Sequence, residues 1–205
     1  MSFVSAFISK DFASIMSDGQ VTGNNKRAVQ EDYKKIIKVN NFLVGFTGNG
    51  TAPIELIKAA IKETGVVIGL GILNKELLLT LIEKCLDKYR QHAMARINIV
   101  LVGFNKGTPF INTFSLDNSE IFQEKFELAE SKYRLITLCP FDYKLENGSE
   151  GFIFMEKVDV LDEKEMNLDK IIKFQHEMND FVADNSDTVN KHVFSEYVKN
   201  DRSES

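Results

Sequence analysis

The feature that most constrains the fold lies at the start of the chain, where apolar residues occupy both faces of one predicted strand. Phe3 and Phe7 alternate with Val4 and Ile8, and only small residues interrupt them before Lys10. A strand with one solvated face alternates apolar with polar residues, whereas a strand covered on both faces reads as a near-continuous apolar run. The sequence therefore predicts a leading strand that is buried between two layers.

The rest of the chain divides into separate blocks of strands and helices. A second strand (FASIMSD), a polar loop and a strand pair at 33–39 and 42–46 complete the first β block. Two helices follow, one capped by Thr51 and one over 74–91. The second β block comprises INIVLVGF, TPFINTFSL, EIFQEKFEL, YRLITL and GFIFMEKV. A helix over 163–183 and a last strand in VNKHVFSEYV end the pattern.

Segregated blocks of this kind predict an α+β fold with antiparallel sheets, because a parallel sheet would need strands that alternate with helices. Two sheets packed face to face between helical layers, a four-layer αββα sandwich, would bury the leading strand on both sides. The chain contains three prolines and no linker-like segment. We therefore expect one domain over residues 1–199, followed by a disordered tail at 200–205.

Charge and composition exclude several classes of function. The net charge is −5 and the isoelectric point is about 5.3. Because no basic run is present, binding to nucleic acid or to an anionic membrane is not expected. No apolar segment is long enough to span a bilayer, and the N-terminus lacks the early charge and continuous apolar run of a signal peptide. We expect a cytoplasmic protein.

The cysteines and histidines do not form a metal site in the sequence. Cys85 and Cys139 have neither a disulfide framework nor metal-ligand spacing, and His92, His176 and His192 belong to no metal motif. We expect no metal and no cofactor. Cys139 is the one alternative nucleophile, but a buried small apolar residue is the preferred interpretation. The acidic stretch over 150–165 is expected to be solvated.

Four short motifs follow one another in the first fifty residues. Ser2 opens the leading strand, SDGQVTG occupies 17–23, KIIKV occupies 35–39 and VGFTG occupies 44–48. In this order they resemble the N-terminal-nucleophile hydrolases, in particular proteasome β subunits and the HslV peptidase. In that family a catalytic Thr leads the mature chain, and its separation from the motif Asp equals the separation of Ser2 from Asp18.

The resemblance implies a catalytic role for four residues. Ser2, exposed by removal of Met1, would be the nucleophile, and its own α-amino group would be the general base. Lys35 would lower the pKa of the Ser2 hydroxyl, and Asp18 would keep Lys35 charged and oriented. The backbone N–H of Gly45 would stabilise the oxyanion.

The same resemblance implies a substrate and partners. Thr22, Leu43 and Thr47 would bind a peptide or another amide substrate. Relatives form rings, so a homo-oligomer is expected, and an ATPase partner is a further expectation. The chain departs from the family at YRLITLCPFDYKLENGS, where we find no Ser-Gly-rich turn that opens a helix. This departure favours the alternative, a catalytically inactive proteasome-like protein with an assembly or binding role.

Overall fold

The structure is a computed structural model that describes residues 2–23, 27–48, 52–68, 74–91, 96–128, 131–140, 142–146, 148–162 and 165–201. The helices within these ranges are α1 (Ala52–Ile68), α2 (Lys75–Tyr89), α3 (Ser149–Val158) and α4 (Leu168–Asp184). The strands are β1 (Val4–Ser9), β2 (Phe12–Asp18), β3 (Val21–Thr22), β4 (Ala28–Gln30), β5 (Ile36–Val39), β6 (Phe42–Gly48), β7 (Ile97–Asn105), β8 (Thr108–Asp117), β9 (Glu120–Glu127), β10 (Tyr133–Leu138) and β11 (Val193–Lys199).

The strands form three antiparallel sheets, which confirms the predicted combination of antiparallel sheets with helices. A four-stranded sheet has the order β10-β1-β2-β11, and a five-stranded sheet has the order β5-β6-β7-β8-β9. The third sheet is the short pair β3-β4, which lies in the segment predicted as a polar loop. Strand β1 is therefore central in its sheet, between β10 and β2.

The leading strand is buried on both faces, as the sequence predicts. Val4 and Ile8 belong to an apolar cluster that also holds residues of the five-stranded sheet, among them Leu43. Phe3 and Phe7 belong to a second cluster, which contains residues of α3 and α4. Each fully buried side chain of this size stabilises the fold by roughly 1.5–3 kcal/mol. A third cluster joins the other face of the five-stranded sheet to α1 and α2.

One predicted strand is a helix. The segment GFIFMEKV was predicted as a strand because it is rich in aromatic and branched residues, but it lies in α3. The buried residues of α3 are Glu150, Phe154 and Val158, and their spacing of four residues is the helical period. The late helix predicted over 163–183 begins at Leu168, after Asn167 accepts a capping hydrogen bond from the Lys170 N–H.

The region between β10 and α3 corrects two further expectations. A Gly-Ser turn does open a helix, because Gly148 precedes the first residue of α3, Ser149, with a φ of 97°. Glycine adopts this left-handed backbone without strain. Glu150, expected to be solvated, is 1% exposed; its carboxylate accepts hydrogen bonds from Thr137 Oγ1 (2.6 Å) and the Gly148 N–H (3.2 Å).

The two predicted helix starts have different outcomes. The start of the second helix is confirmed, because the Asn74 side chain accepts a hydrogen bond from the Leu77 N–H at 2.9 Å. The predicted cap Thr51 lies outside the described residues. So do residues 202–205 of the predicted tail, whereas Asn200 donates its backbone N–H to the Asp11 carbonyl at 2.8 Å.

Candidate active site

Ser2 is buried at the start of β1, with 5% of its surface exposed. Its carbonyl accepts a hydrogen bond from Thr47 Oγ1 on β6 at 2.9 Å. The next amide, Phe3 N–H, donates to Asp18 Oδ1 at 2.9 Å, and the Asp18 N–H donates back to the Phe3 carbonyl at 3.2 Å. The beginning of the chain is thereby fixed to both large sheets.

Asp18 and Lys35 form a buried ion pair beside Ser2. Lys35 Nζ lies 3.0 Å from Asp18 Oδ2, and the two side chains are 3% and 0% exposed. Lys35 Nζ also donates to the Asp18 carbonyl at 3.0 Å and to the Gln20 carbonyl at 2.6 Å. An ammonium group has three donors. All three donors of Lys35 therefore have an acceptor in residues 18–20.

Gly19 explains why the chain turns sharply between those acceptors. A Cβ at this position would lie 2.5 Å from the Glu31 carbonyl oxygen and 3.2 Å from the Phe194 ring. The Gly19 carbonyl accepts from the Tyr33 N–H at 2.9 Å, two residues before Lys35. Only a residue without a side chain lets the segment 31–35, which ends at Lys35, approach the Asp18 turn this closely.

Burial changes the acid–base properties of the pair. Burial raises the pKa of Asp18, although the Lys35 charge and the N–H donors of Gln20 and Phe3 oppose the change. Burial lowers the pKa of Lys35, and the Asp18 carboxylate opposes that change. Both shifts make the difference between the pKa of Asp18 and the pKa of Lys35 smaller than it is in water.

Gly45 has a packing role in the structure. A Cβ at Gly45 would lie 2.9 Å from Val4 Cγ1, 3.1 Å from Ile15 Cγ2 and 3.3 Å from Val100 Cγ1. The glycine thus lets β6 approach the four-stranded sheet closely. Its predicted role as oxyanion donor stays a prediction.

The residues predicted to bind substrate lie in different environments. Thr47 is next to Ser2, as described above. Leu43 is fully buried in the cluster between the two large sheets, so a substrate does not reach it without a movement of the core. Thr22 is half-buried on β3, two residues beyond Gln20. The structure therefore brings Ser2, Asp18, Lys35 and Thr47 together and leaves Leu43 in the core.

Sequence reasoning did not single out Gln20 as a site residue. Its carbonyl accepts from Lys35, and its side-chain amide donates to the Asp187 carbonyl at 3.1 Å. Asn190 reaches the same turn, because its Oδ1 accepts from the Gly19 N–H at 3.1 Å. Gln20 lies inside the SDGQ motif, which was the available signal. Asn190 carries no local signal, because it reaches the turn from far along the chain.

The remaining titratable candidates do not form a second reactive centre. Burial raises the pKa of the Cys139 thiol, and the charge of Glu150 raises it further. Cys139 is half-buried, not buried as the sequence predicts, but its raised pKa disfavours the thiolate and makes it an unreactive cysteine. In the ranges that the structure describes, no group of three or more His, Cys, Asp or Glu side chains is placed to hold a metal ion. No helix in these ranges is long and apolar enough to cross a membrane.

The fold is similar to that of a solved structure: the crystal structure of eukaryotic HslV from Trypanosoma brucei aligns with a TM-score of 0.56. The alignment covers 96% of this chain and 99% of that chain, with 13% sequence identity. At this identity the likeness shows the fold. No protein-family model matches the sequence, and no curated protein matches it.

Proposed function

We propose that this chain is an N-terminal-nucleophile hydrolase that cleaves amide bonds, with peptides as the main substrate class, and that Ser2 is the nucleophile after removal of Met1. The observation that carries the proposal is the anchoring of Ser2. Its carbonyl is bonded to Thr47, and the following amide is bonded to the carboxylate that pairs with Lys35. A terminus held in this way keeps an amine and a hydroxyl of one residue at a fixed place.

The reaction needs no other base than the Ser2 amine. Ser2 Oγ attacks the substrate carbonyl carbon while the α-amino group, with a pKa of about 8 when unperturbed, accepts the hydroxyl proton. The amine then gives this proton to the departing nitrogen, and the C–N bond breaks. The acyl group remains on Ser2 as an ester. Water, deprotonated by the same amine, attacks the ester, and the proton returns to Ser2 Oγ as the acid leaves.

Asp18 and Lys35 support this chemistry through charge and position. Lys35 pairs with Asp18, and Asp18 accepts a hydrogen bond from the Phe3 amide, which follows Ser2. The positive charge of Lys35 therefore favours loss of the Ser2 hydroxyl proton. Thr47 fixes the carbonyl of Ser2 and thereby the direction of its Cα–Cβ bond. The Gly45 N–H is the proposed oxyanion donor, and Thr22 the proposed contact to the substrate backbone.

The proposal also covers the layer architecture, the oligomeric state, the cellular compartment and a partner protein. We propose the four-layer αββα sandwich as its architecture, because three apolar clusters lie in succession between α1/α2, the two large sheets and α3/α4. A homo-oligomer in the cytoplasm that works with an ATPase partner completes the proposal by resemblance to proteasome-like proteins.

A second candidate function rests on the hydrogen bonds of Lys35. All three of its donors are bound to Asp18 and Gln20. Direct activation of the Ser2 hydroxyl by Lys35 would require one of these bonds to be exchanged. This arrangement favours a protein that keeps the motif for its fold and uses the surface for assembly or binding.

An intact-mass measurement combined with active-site labelling separates the two functions. The protein is purified from its own cells, and its mass is compared with the sequence with and without Met1. It is then treated with a peptide vinyl sulfone and a peptide epoxyketone, followed by peptide mapping. We expect a mass without Met1 and a label on Ser2, because both reagents are electrophiles that an activated serine hydroxyl attacks.

Two variants make the experiment specific. Ser2→Ala should abolish labelling, whereas Ser5→Ala, on the same strand, should retain it because the Ser5 hydroxyl faces Gln175 of α4 (3.1 Å). A mass that includes Met1, or a processed protein that neither reagent labels, would contradict the hydrolase and support the binding function.

A further inference from the structure

One edge of the four-stranded sheet, formed by β10, is unpaired within the part of the chain that the structure describes. Strand β10 pairs with β1, and among the described residues no strand pairs with its other side. All six residues of β10 are half-buried, and no proline interrupts the strand. In an antiparallel sheet, alternate backbone N–H and C=O groups of an edge strand point away from its partner. Such an edge is a template for a further strand.

Two pockets lie on the two faces of this edge strand. The first, of about 670 Å³, lies between β10 and α3, where Gly151 and Met155 line it. The second, of about 650 Å³, lies between β10 and the β8–β9 hairpin, where Phe122 lines it. Both volumes are in the range of ligand pockets. Leu135 and Thr137 line both pockets, so the pockets meet along the edge of β10.

The two faces of β10 are distinct. Leu135 packs against the cluster that contains α3 and α4, whereas Ile136 and Leu138 pack against the cluster between the sheets. A strand paired with β10 would have the same alternation, because successive side chains of a strand point to opposite faces. One side chain would enter the first pocket, and the next would enter the second.

We propose that β10 binds an extended peptide segment of another protein as an added strand. Backbone pairing supplies affinity in this mode of recognition, and pockets for alternate side chains supply selectivity. The walls on both sides favour a bare peptide over a second copy of this chain. A folded copy would bring its own helices and second sheet to the place where α3 and β9 already stand beside β10.

The pocket walls indicate which side chains the peptide carries. The Arg134 side chain lies on the second-pocket face of β10, where its guanidinium is 5.5 Å from the centre of the Phe126 ring, and its Nε is buried without a hydrogen-bond partner among the described residues. A buried donor without an acceptor costs about 1–3 kcal/mol, which a peptide carboxylate or carbonyl would relieve. The second pocket is lined by the aromatic residues Phe122 and Phe126. Because residues two positions apart in a strand share a face, we expect a peptide that carries an acidic residue and an apolar residue at positions i and i+2.

The opposite edge of the same sheet lacks these features and serves as an internal control. Strand β11 has one of its carbonyls occupied, because Lys38 Nζ donates to the Tyr197 carbonyl at 2.8 Å. Lys34 pairs with Glu196 on the same strand. These contacts cover β11 from the five-stranded sheet, whereas β10 is bordered by pockets.

Peptide binding and hydrogen exchange test the proposal on the full chain. Fluorescein-labelled decapeptides that tile α-casein, an unstructured protein, are titrated by fluorescence anisotropy. Because backbone pairing tolerates many sequences, some of the decapeptides should bind, those with an acidic and an apolar residue two positions apart most tightly. The bound peptide should slow amide exchange in residues 133–138 at least tenfold and leave residues 193–199 unchanged.

Matched variants locate the site. Phe122 and Phe152 are both exposed (54% and 67%), but of the two only Phe122 lines either pocket beside β10. Phe122→Ser should weaken binding about tenfold, and Phe152→Ser should not change it. Gly151→Leu should weaken binding as well, because a Cβ at Gly151 points into open space and the larger side chain would fill the first pocket.

Three results would overturn the proposal. They are the absence of binding by every decapeptide, equal effects of the two Phe variants, and concentration-dependent protection of 133–138 without peptide, which would instead show pairing with a second copy. The inference does not depend on Ser2 as a nucleophile. Ser2→Ala should bind the same peptides with unchanged affinity. If the labelling experiment contradicts the proposed hydrolase, the peptide-binding experiment still tests the β10 site.

Discussion

The buried ion pair between Asp18 and Lys35 makes a quantitative prediction about stability. Lys35→Met removes three hydrogen bonds and leaves a buried carboxylate with only the N–H donors of Phe3 and Gln20. Asp18→Asn keeps an acceptor for Phe3 but leaves the ammonium without its counter-charge. Breaking a buried pair by removing one partner costs about 3–5 kcal/mol, and we expect each single variant to lose that amount.

The double variant separates the pair interaction from the other contacts. In Asp18→Asn/Lys35→Met neither charge remains buried, so the loss should be smaller than the sum of the two single losses by about 2–3 kcal/mol. The chain contains no tryptophan, so urea unfolding is followed by far-UV circular dichroism. The slope of the unfolding free energy against urea should stay constant across the variants, which would show that the unfolded states are comparable.

An exposed pair gives the matched control. Lys144 and Asp187 are 3.1 Å apart, but their side chains are 57% and 65% exposed. A cycle on this pair should give an interaction energy of about 0–1 kcal/mol, because solvent screens exposed charges. If the Asp18–Lys35 cycle gave an interaction as small as this control, the reasoning from burial would be refuted.

Three further predictions follow from single sites. Gly45→Ala should lower the free energy of unfolding by about 1–3 kcal/mol. Adding Val4→Ala to this variant should restore part of the loss, because it removes the methyl group 2.9 Å from the new Cβ. An unchanged free energy in Gly45→Ala would contradict the packing role. Because its pKa is raised, Cys139 should carry less thiolate at pH 8 than a free cysteine and react more slowly with iodoacetamide; equal rates in folded and urea-unfolded protein would disprove this. Glu150→Leu should cost about 1–3 kcal/mol in urea unfolding, more than Glu150→Gln, because only Gln keeps an acceptor for the Thr137 hydroxyl; equal losses would argue against that bond.

Features encoded within a few residues were predictable from the sequence. The burial of β1 on both faces follows from its own apolar residues. Asn74 caps its helix by accepting a hydrogen bond from the Leu77 N–H, only three residues away. The turn between Asp18 and Gln20 follows from a short motif. Such features need no knowledge of distant partners, because periodicity and capping act within one element.

Features that depend on distant partners were not predictable in the same way. Gln175 can be fully buried because both ends of its side-chain amide have partners more than 150 residues away. Its Nε2 donates to Ser5 Oγ, and its Oε1 accepts from Ser14 Oγ. Glu150 is buried for a similar reason, since β10 supplies its Thr137 partner. Helix α3 resembled a strand because Phe152 and Met155 remain exposed, so its apolar residues do not all lie on one face.

The same contacts show which variant separates catalysis from folding. Asp18, Gly19 and Lys35 are fixed by each other and by the turn at 18–20, so their substitution alters the fold whether or not the chain is an enzyme. At Ser2 the bond to Thr47 uses the backbone carbonyl, and the neighbouring bond to Asp18 uses the Phe3 amide. Ser2→Ala keeps both bonds. We therefore expect it to lower the free energy of urea unfolding by much less than Lys35→Met does, while it abolishes labelling. A loss as large as that of Lys35→Met would mean that the Ser2 hydroxyl is itself part of the folded network, and loss of labelling in Ser2→Ala would then no longer identify the nucleophile.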